Sequence, residues 1–164
     1  MKRVFIFIGV PGIGKSTYLE TTHPKYDFVV LSLDRFRREV LGNNYFQPAE
    51  PFAHSWIEVT GRYLLGSGVN ILLDNTHVQR FLREKWVRLA SEFRAHVTYV
   101  WFDGPVELAK ERNRLRPEMW QVPETIIDRM SNDLTENPPS LEEGCHEIIR
   151  LIPDKLGGWK DAPR

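Results

Sequence analysis

Short runs of apolar residues alternate with longer amphipathic segments along this chain. The first run, residues 4–8, is continuously apolar and ends at Gly9. A run of this kind is typical of a strand that is buried on both faces of a sheet. Comparable runs predict further strands at 28–31, 69–73, 96–102 and 145–151.

Between these runs, apolar side chains recur every three or four residues, which is the period of an amphipathic helix. In the segment 79–94, one side contains Phe81, Leu82, Trp86, Leu89 and Phe93. Further helices are predicted at 16–21, 34–41, 49–65, 105–115 and 124–134. Strands that alternate with helices favour a parallel sheet with helices on both faces. We therefore predict the α/β class, with a five-stranded parallel sheet.

The chain of 164 residues is long enough to form one domain with its own core. We predict that this domain covers residues 1–153, because the periodic pattern ends at Pro153. Residues 154–164 are expected to form a flexible tail. The polar stretch 114–123 contains two prolines and predicts a mobile loop.

Charge is balanced, with 22 basic and 22 acidic residues and a net charge of +0. A protein that coats long duplex nucleic acid is usually basic, so extensive non-specific binding is disfavoured. Basic residues still cluster at 35–38, 80–88 and 112–116, which leaves a local anionic site open. No apolar run reaches the roughly 18 residues of a membrane span. We predict no membrane association, and the sequence indicates no stable protein partner.

The single cysteine, Cys145, excludes an internal disulfide and favours a reducing cytoplasm. The histidines His23, His54, His96 and His146 show no metal-ligand spacing with this cysteine or with one another. We therefore predict a cytoplasmic protein without a zinc site.

A glycine-rich loop follows the first predicted strand. It fits the pattern G-x-x-x-x-G-K-[ST], and a predicted helix begins directly after it. In such a loop the backbone N–H groups and the helix N-terminus bind phosphate. Lys15 is expected to reach the β- and γ-phosphates, and the Ser16 hydroxyl is expected to take one Mg²⁺ position. The predicted nucleotide-binding residues of the loop are Gly9, Pro11, Gly12, Ile13, Gly14, Lys15, Ser16 and Thr17.

ATP is the predicted nucleotide. The chain has neither an N-K-x-D motif, which GTPases use for guanine, nor the L-S-G-G-Q-like signature of transport ATPases. ATP and Mg²⁺ are therefore the expected cofactors. A phosphate-binding loop alone, however, does not say where the terminal phosphate goes.

The second predicted strand leads into Asp34 and Arg37. Ligands bind at the carboxyl ends of parallel strands, so Asp34 is expected near the γ-phosphate. A carboxylate there can accept the proton of an attacking hydroxyl. Arg37 lies one helical turn further on and can hold an anionic group of the acceptor. The alternative is that Asp34 only caps the following helix.

Four polar residues end the third predicted strand, namely Asp74, Asn75, Thr76 and His77. Asp74 is expected to hold a water molecule bound to Mg²⁺, or alternatively to cap the next helix. Asn75 and Thr76 are candidates for hydrogen bonds to the acceptor. A single histidine such as His77 is more often a packing or surface residue than a ligand-binding one.

A predicted lid begins at the end of the helix 105–115. Arg112 and Arg116 are four residues apart and share one helix face. An arginine on a closing lid can stabilise the charge of the transferring phosphoryl group, and the other arginine can stack on adenine. The alternative is that both lie there because helix C-termini favour cations.

These motifs together resemble those of the 5′-hydroxyl polynucleotide kinase domain of bacteriophage and bacterial RNA-repair enzymes. The matching segments are GVPGIGKST, LDRFR, LLDNTH and ERNRLR with VPETIIDRM, within residues 3–135. The resemblance implies a P-loop kinase fold with an arginine-bearing lid. It also implies that Asp34 is the general base, that Arg37 grips the acceptor's phosphate and that Arg116 contacts the donor phosphates. The family pattern has Asn where this chain has His77.

Three functions are compatible with the sequence. The leading hypothesis is transfer of the γ-phosphate of ATP to a 5′-hydroxyl end of RNA or DNA, with Lys15, Asp34 and Arg116 as catalytic residues. A kinase for a sugar, a nucleoside or an antibiotic is the nearest alternative, and a nucleotide-gated binding module is the third. Arg37 separates the first two, because a neutral acceptor has no need of it.

Overall fold

The computed structural model describes residues 1–22, 27–42 and 46–163. Its strands in these ranges are β1 (Arg3–Ile8), β2 (Val29–Leu31), β3 (Ile71–Leu73), β4 (His96–Phe102), β5 (Glu147–Pro153) and β6 (Trp159–Asp161). They form one sheet in the order β2-β3-β1-β4-β5-β6. The strands β1 to β5 pair in parallel, and β6 pairs antiparallel with β5.

The helices of the described ranges are α1 (Lys15–Thr22), α2 (Leu33–Glu39), α3 (Glu50–Gly66), α4 (Arg80–Glu92), α5 (Val106–Arg114) and α6 (Glu124–Glu136). Each lies where the sequence predicts a helix, with its ends shifted by a few residues. Within the same ranges, no helix is both long enough and apolar enough to cross a membrane. The predicted α/β class is confirmed.

The strand β1 lies at the centre of the sheet because its side chains are apolar on both faces. Val4, Ile6 and Ile8 on one face are fully buried, and Phe7 on the other face is 2% exposed. The strand pairs with β3 on one side and with β4 on the other. One face of the sheet is covered by α1, whose Tyr18 ring packs edge-on against Phe102 of β4 at 5.3 Å. The apolar run at the start of the sequence thus forms the core of the molecule.

The other face of β4 packs against a buried ion pair. The Arg83 guanidinium of α4 donates to both carboxylate oxygens of Glu143, at 2.6 and 2.8 Å, and both side chains are fully buried. The Tyr99 hydroxyl donates to the same carboxylate at 3.0 Å. Arg83 also donates to main-chain carbonyls of His77, Val78 and Asn137. Arg83 is therefore a core residue, although the sequence places it in a basic cluster.

The C-terminal segment differs from the prediction. The sequence predicts a flexible tail from residue 154 onward, but β6 lies within this segment and extends the sheet along β5. Trp159 packs edge-on against Phe102, with ring centroids 5.1 Å apart. The described part of the sheet therefore has six strands instead of five, and it is not wholly parallel. A three-residue strand is too short for an apolar pattern to reveal it.

Candidate active site

The loop between β1 and α1 has the backbone of a phosphate-binding loop. Gly12 and Gly14 adopt φ angles of +85° and +111°, which residues with a Cβ atom rarely do. A Cβ atom on Gly12 would lie 2.4 Å from the Ala109 carbonyl oxygen of α5. The glycines therefore make the turn possible and also allow α5 to approach it.

Lys15 lies inside this loop. Its ammonium group donates hydrogen bonds to the main-chain oxygens of Gly9, at 2.8 Å, and Val10, at 2.9 Å. The residue is only 8% exposed. A triphosphate that binds the loop would offer this ammonium group negatively charged partners in place of the two carbonyls.

Three other predicted site residues lie close enough to Lys15 to shift its pKa. Burial lowers the pKa of Lys15 to about 8, while the carboxylates of Asp74 and Asp34 raise it and the guanidinium of Arg116 lowers it. Such interactions weaken steeply with distance and screening. The proposed base, the proposed Mg²⁺ ligand and the lid arginine therefore all influence the charge of one lysine.

Ser16 and Asp74 meet at the start of α1. The Ser16 hydroxyl donates to the Asp74 carboxylate at 3.0 Å, and burial raises the pKa of Asp74. The cap alternative for Asp74 does not hold, because the N-cap residue of α4 is Gln79. Two adjacent hard oxygen ligands beside a phosphate-binding loop fit Mg²⁺. Among the described residues, no group of three or more His, Cys, Asp and Glu side chains could hold a metal ion; His23 lies outside those residues.

The loop after β3 connects α2 to the phosphate-binding loop. The Asn75 side-chain oxygen accepts a hydrogen bond from the Leu33 N–H at 2.9 Å, which connects this loop to the start of α2. The Thr76 carbonyl accepts from the Gly9 N–H at 2.9 Å, which connects it to the phosphate-binding loop. Contact of Asn75 or Thr76 with an acceptor remains a prediction.

His77 lies in the interior of the protein, away from solvent. It is 4% exposed, and its Nδ1 donates to the Phe7 carbonyl of β1 at 2.9 Å, since a carbonyl oxygen can only accept. Burial lowers the pKa of His77 to about 4, so the ring is neutral at neutral pH. The departure from the family pattern at this position therefore concerns packing between β1 and the loop.

Asp34 and Arg37 contact each other on α2. The Arg37 Nη1 donates to the Asp34 carboxylate at 2.6 Å. The Arg37 Nε and Nη2 donate to the two carboxylate oxygens of Glu50, at 2.8 and 2.6 Å. The side chains of Arg37 and Glu50 are 13% and 14% exposed, whereas that of Asp34 is 75% exposed. The guanidinium is thus held in place, and the Asp34 carboxylate is open to solvent.

Glu50 is a site residue that the motifs do not reveal. It belongs to none of them and reaches Arg37 only because α3 packs against α2, where the Phe36 and Trp56 rings stack at 4.1 Å. The cap alternative for Asp34 does not hold either, because the Ser32 hydroxyl caps α2. The Asp34 carboxylate is therefore not required for the start of this helix.

Arg112 connects the phosphate-binding loop to the C-terminal strands. Its guanidinium donates to the Ile13 carbonyl at 2.5 Å and to the Gly157 carbonyl at 3.1 Å. A Cβ atom on Gly14 would lie 2.7 Å from this guanidinium and 3.5 Å from the Trp159 indole nitrogen. The turn between β5 and β6 thus lies against the loop, and stacking of Arg112 on adenine remains a prediction.

The lid segment has a defined shape. The Asn113 side chain, 2% exposed, donates to the Val122 carbonyl at 2.8 Å and accepts from its N–H at 3.0 Å. A 3₁₀ turn at Glu118–Trp120 lies between these residues. Arg116 is exposed on this segment, and no hydrogen bond or ion pair joins its guanidinium to another described residue. The predicted contact of Arg116 with donor phosphates has therefore no competing partner within the described ranges.

The fold and this site define a kinase-like P-loop protein. Residues 4–137 match the model of a protein family described as an AAA domain. The chain belongs to this family. A comparison with curated protein sequences gives no match.

Solved structures of similar fold come from an RNA repair complex, a toxin–antitoxin system and a sugar kinase. A chain of the Pnkp1/Rnl/Hen1 RNA repair complex is 26% identical with a TM-score of 0.74, over 82% of this chain and 44% of that one. This chain thus spans less than half of that protein. A chain of the PezAT toxin–antitoxin system of Streptococcus pneumoniae is 18% identical with a TM-score of 0.70. The match covers 97% of this chain and 70% of that one. A sugar kinase from Janibacter sp. HTCC2649 is 19% identical with a TM-score of 0.61, and the match covers 93% of this chain and 86% of that one. The last two share the fold alone.

Proposed function

We propose that this protein transfers the γ-phosphate of ATP to the 5′-hydroxyl end of RNA or DNA. The observation that supports the proposal most directly is the contact of Asp34 with Arg37, at 2.6 Å, while Glu50 holds the same guanidinium from the other side. A solvent-open carboxylate suits an attacking hydroxyl. A fixed guanidinium beside it suits the phosphate that follows this hydroxyl in a nucleic-acid chain.

On the donor side, the loop N–H groups and Lys15 bind the phosphates of ATP. Ser16 and Asp74 supply oxygen ligands for Mg²⁺, which when bound neutralises charge on the phosphates. Arg116 approaches the transferring group from the lid, where it stabilises the charge that develops during transfer.

On the acceptor side, the oxygen of the 5′-hydroxyl attacks the γ-phosphorus in line while Asp34 accepts the hydroxyl proton. The bond from the γ-phosphorus to the β–γ bridging oxygen breaks, and ADP leaves. Arg37 exchanges its bond to Asp34 for one to the acceptor's phosphate, which leaves the carboxylate free for the hydroxyl. Glu50 retains its two bonds to Arg37 during this exchange and so keeps the guanidinium oriented.

The likeness to a chain of an RNA repair complex supports a polynucleotide acceptor. A part in RNA repair belongs to the same proposal, as does a cytoplasmic location. The neutral net charge supports an enzyme that grips a chain end through a few contacts and does not coat a duplex.

A kinase for a small neutral acceptor is the second candidate. One observation favours it: the Arg37 charge is already compensated by the carboxylates of Asp34 and Glu50. A buried cation in this state does not need a phosphate to satisfy it. A sugar or a nucleoside could then occupy the space beside Asp34.

The deciding experiment supplies ATP labelled in the γ-phosphate together with Mg²⁺. The acceptors are 5′-hydroxyl RNA and DNA oligonucleotides, nucleoside 3′-phosphates, free nucleosides and a panel of sugars. We expect label on the oligonucleotides and on the nucleoside 3′-phosphates, and none on oligonucleotides that already have a 5′-phosphate. Label on a sugar or a free nucleoside alone would overturn the proposal in favour of the second candidate.

A further inference from the structure

The lid presents an exposed tryptophan close to the proposed acceptor site. Trp120 is 43% exposed, although the side-chain bonds of Asn113 define the shape of the segment around it. The Gln121 side chain adds bonds to the carbonyls of Arg114, at 3.2 Å, and Arg116, at 2.8 Å. These polar contacts define the shape of the segment. The Trp120 indole therefore does not have to be buried in the core to stabilise it.

The Trp120 ring packs against a side chain of α2. The Arg38 guanidinium is 5.0 Å from the centre of the indole, in cation–π geometry. Arg38 follows Asp34 by four residues, so both side chains lie on one face of α2, with Cβ atoms about 6 Å apart. The indole therefore packs against a side chain that shares a helix face with the carboxylate proposed to accept the hydroxyl proton.

This arrangement differs from that of the other charged contacts of α2. Arg37 is held by carboxylates and is 13% exposed, whereas Arg38 is exposed and is backed by an aromatic ring. Aromatic rings and arginine planes at a surface are the groups on which single-stranded bases stack, and every base offers a face for this contact. A sugar has no aromatic π face of this kind.

We propose that Trp120, together with Arg38, is the stacking platform for a nucleobase near the 5′ end of the acceptor strand. The inference rests on the proposed function and sharpens it, because it makes the acceptor a nucleotide with a base. Asp34 then takes the hydroxyl, Arg37 the phosphate and Trp120 the base of one short segment of chain.

The test measures KM for a 5′-hydroxyl oligonucleotide and KM for ATP with the full chain. Trp120→Ala should raise the oligonucleotide KM by about tenfold, which is the usual contribution of one base–aromatic stack. Trp120→Phe should stay within about threefold of wild type, because phenylalanine retains a ring. Leu115→Ala is the matched control, since Leu115 is an apolar residue of the same segment and is 86% exposed; its oligonucleotide KM should not change.

The KM for ATP separates a platform from a structural role. A lid that loses its shape also moves Arg116, so a merely structural effect of Trp120→Ala would raise both constants. We expect the ATP KM to remain unchanged. An equal rise of both constants in Trp120→Ala would overturn the inference.

A second arm uses acceptors that lack a base at the first or the second nucleotide. The wild-type KM should rise about tenfold on one of these acceptors. On the same acceptor, the KM of Trp120→Ala should not rise any further. If Trp120→Ala and the missing base raised KM by independent factors that multiply, the inference would be overturned. A wild-type KM that neither abasic acceptor changes would also overturn it. If wild type labels no oligonucleotide at all, the proposed function fails and the inference fails with it. If wild type labels oligonucleotides and Trp120→Ala keeps its KM, the inference fails alone.

Discussion

The donor half and the acceptor half of the site are built in different ways. In the donor half, Lys15 is 8% exposed, and Ser16 and Asp74 bond to each other. In the acceptor half, the Asp34 side chain is 75% exposed and Trp120 is 43% exposed. The triphosphate group is chemically the same in every nucleoside triphosphate. A closed backbone loop of fixed shape can therefore bind it. An acceptor would enter from solvent, which fits the exposure of Asp34 and Trp120, whereas Arg37 is held below the surface at 13% exposure.

If the two halves act separately, the largest effect should come from Asp34→Asn. An amide cannot accept the hydroxyl proton, and we expect transfer to fall by about 10²- to 10⁴-fold. ATP affinity should remain near that of wild type, because the phosphate-binding loop is untouched. Initial rates and calorimetric titration with ATP check both parts. Glu39→Gln, on the same helix, is the control, and a wild-type rate in Asp34→Asn would refute Asp34 as the base.

Removing one partner of the buried Arg83–Glu143 pair tests what stabilises the donor half. Arg83 donates to the carbonyls of His77 and Val78, just after the loop that contains Asp74. Glu143→Ala leaves this buried cation without its partner, and we expect a loss of about 3–5 kcal/mol in the free energy of unfolding. Denaturant titration measures it.

The matched control for Glu143→Ala is Glu92→Ala. Glu92 pairs with Arg62 at the surface, with side chains 52% and 40% exposed, and solvent screens such a pair, so its removal should cost far less stability. Equal losses in the two variants would mean that the buried pair does not support the fold as described.

Arg37→Ala tests whether the acceptor half recognises charge. We expect the oligonucleotide KM to rise by about tenfold to a hundredfold, which is the size of a lost charge-assisted bond, with the ATP KM unchanged. The double variant Arg37→Ala/Glu50→Gln removes the carboxylate charge that the single variant leaves partly buried. If the double variant recovers the wild-type KM, then Arg37 supports the fold and does not touch the acceptor.

The smallest effect should be the dependence of ATP affinity on pH. Burial lowers the pKa of Lys15 to about 8 in the nucleotide-free protein, whereas bound phosphates favour the charged ammonium. The lysine loses its proton as pH rises above that pKa, so binding must then take up a proton. We expect ATP affinity to fall about fivefold between pH 8 and pH 9. Calorimetry at pH 8.5 in two buffers of different ionisation enthalpy should detect the uptake, and binding without uptake would contradict it.

Local pattern was sufficient to predict most of the fold. The apolar run of β1 and the period of α4 depend on residues close together in the chain, and both elements lie where they are predicted. The glycine-rich loop is equally local, because its turn needs φ > 0 at Gly12 and Gly14. These features follow from backbone sterics and side-chain period, which neighbouring residues decide.

The partners of charged residues could not be predicted in this way. Arg83 lies in a basic cluster of the sequence, yet its partner is Glu143, 60 residues away. Nothing around Glu50 marks it as a residue of the site. A polar or charged side chain has many potential partners of similar chemistry, and only the packing of helices and strands selects one of them.

The sequence by itself determined the α/β class, the phosphate-binding loop and the candidates Asp34, Arg37 and Arg116. The tertiary structure alone decided that β6 completes the described sheet, that Glu50 holds Arg37 and that Trp120 packs against Arg38. The physical reason is range: period and turn geometry act over a few residues, whereas burial and charge pairing act between segments that meet only in the folded chain.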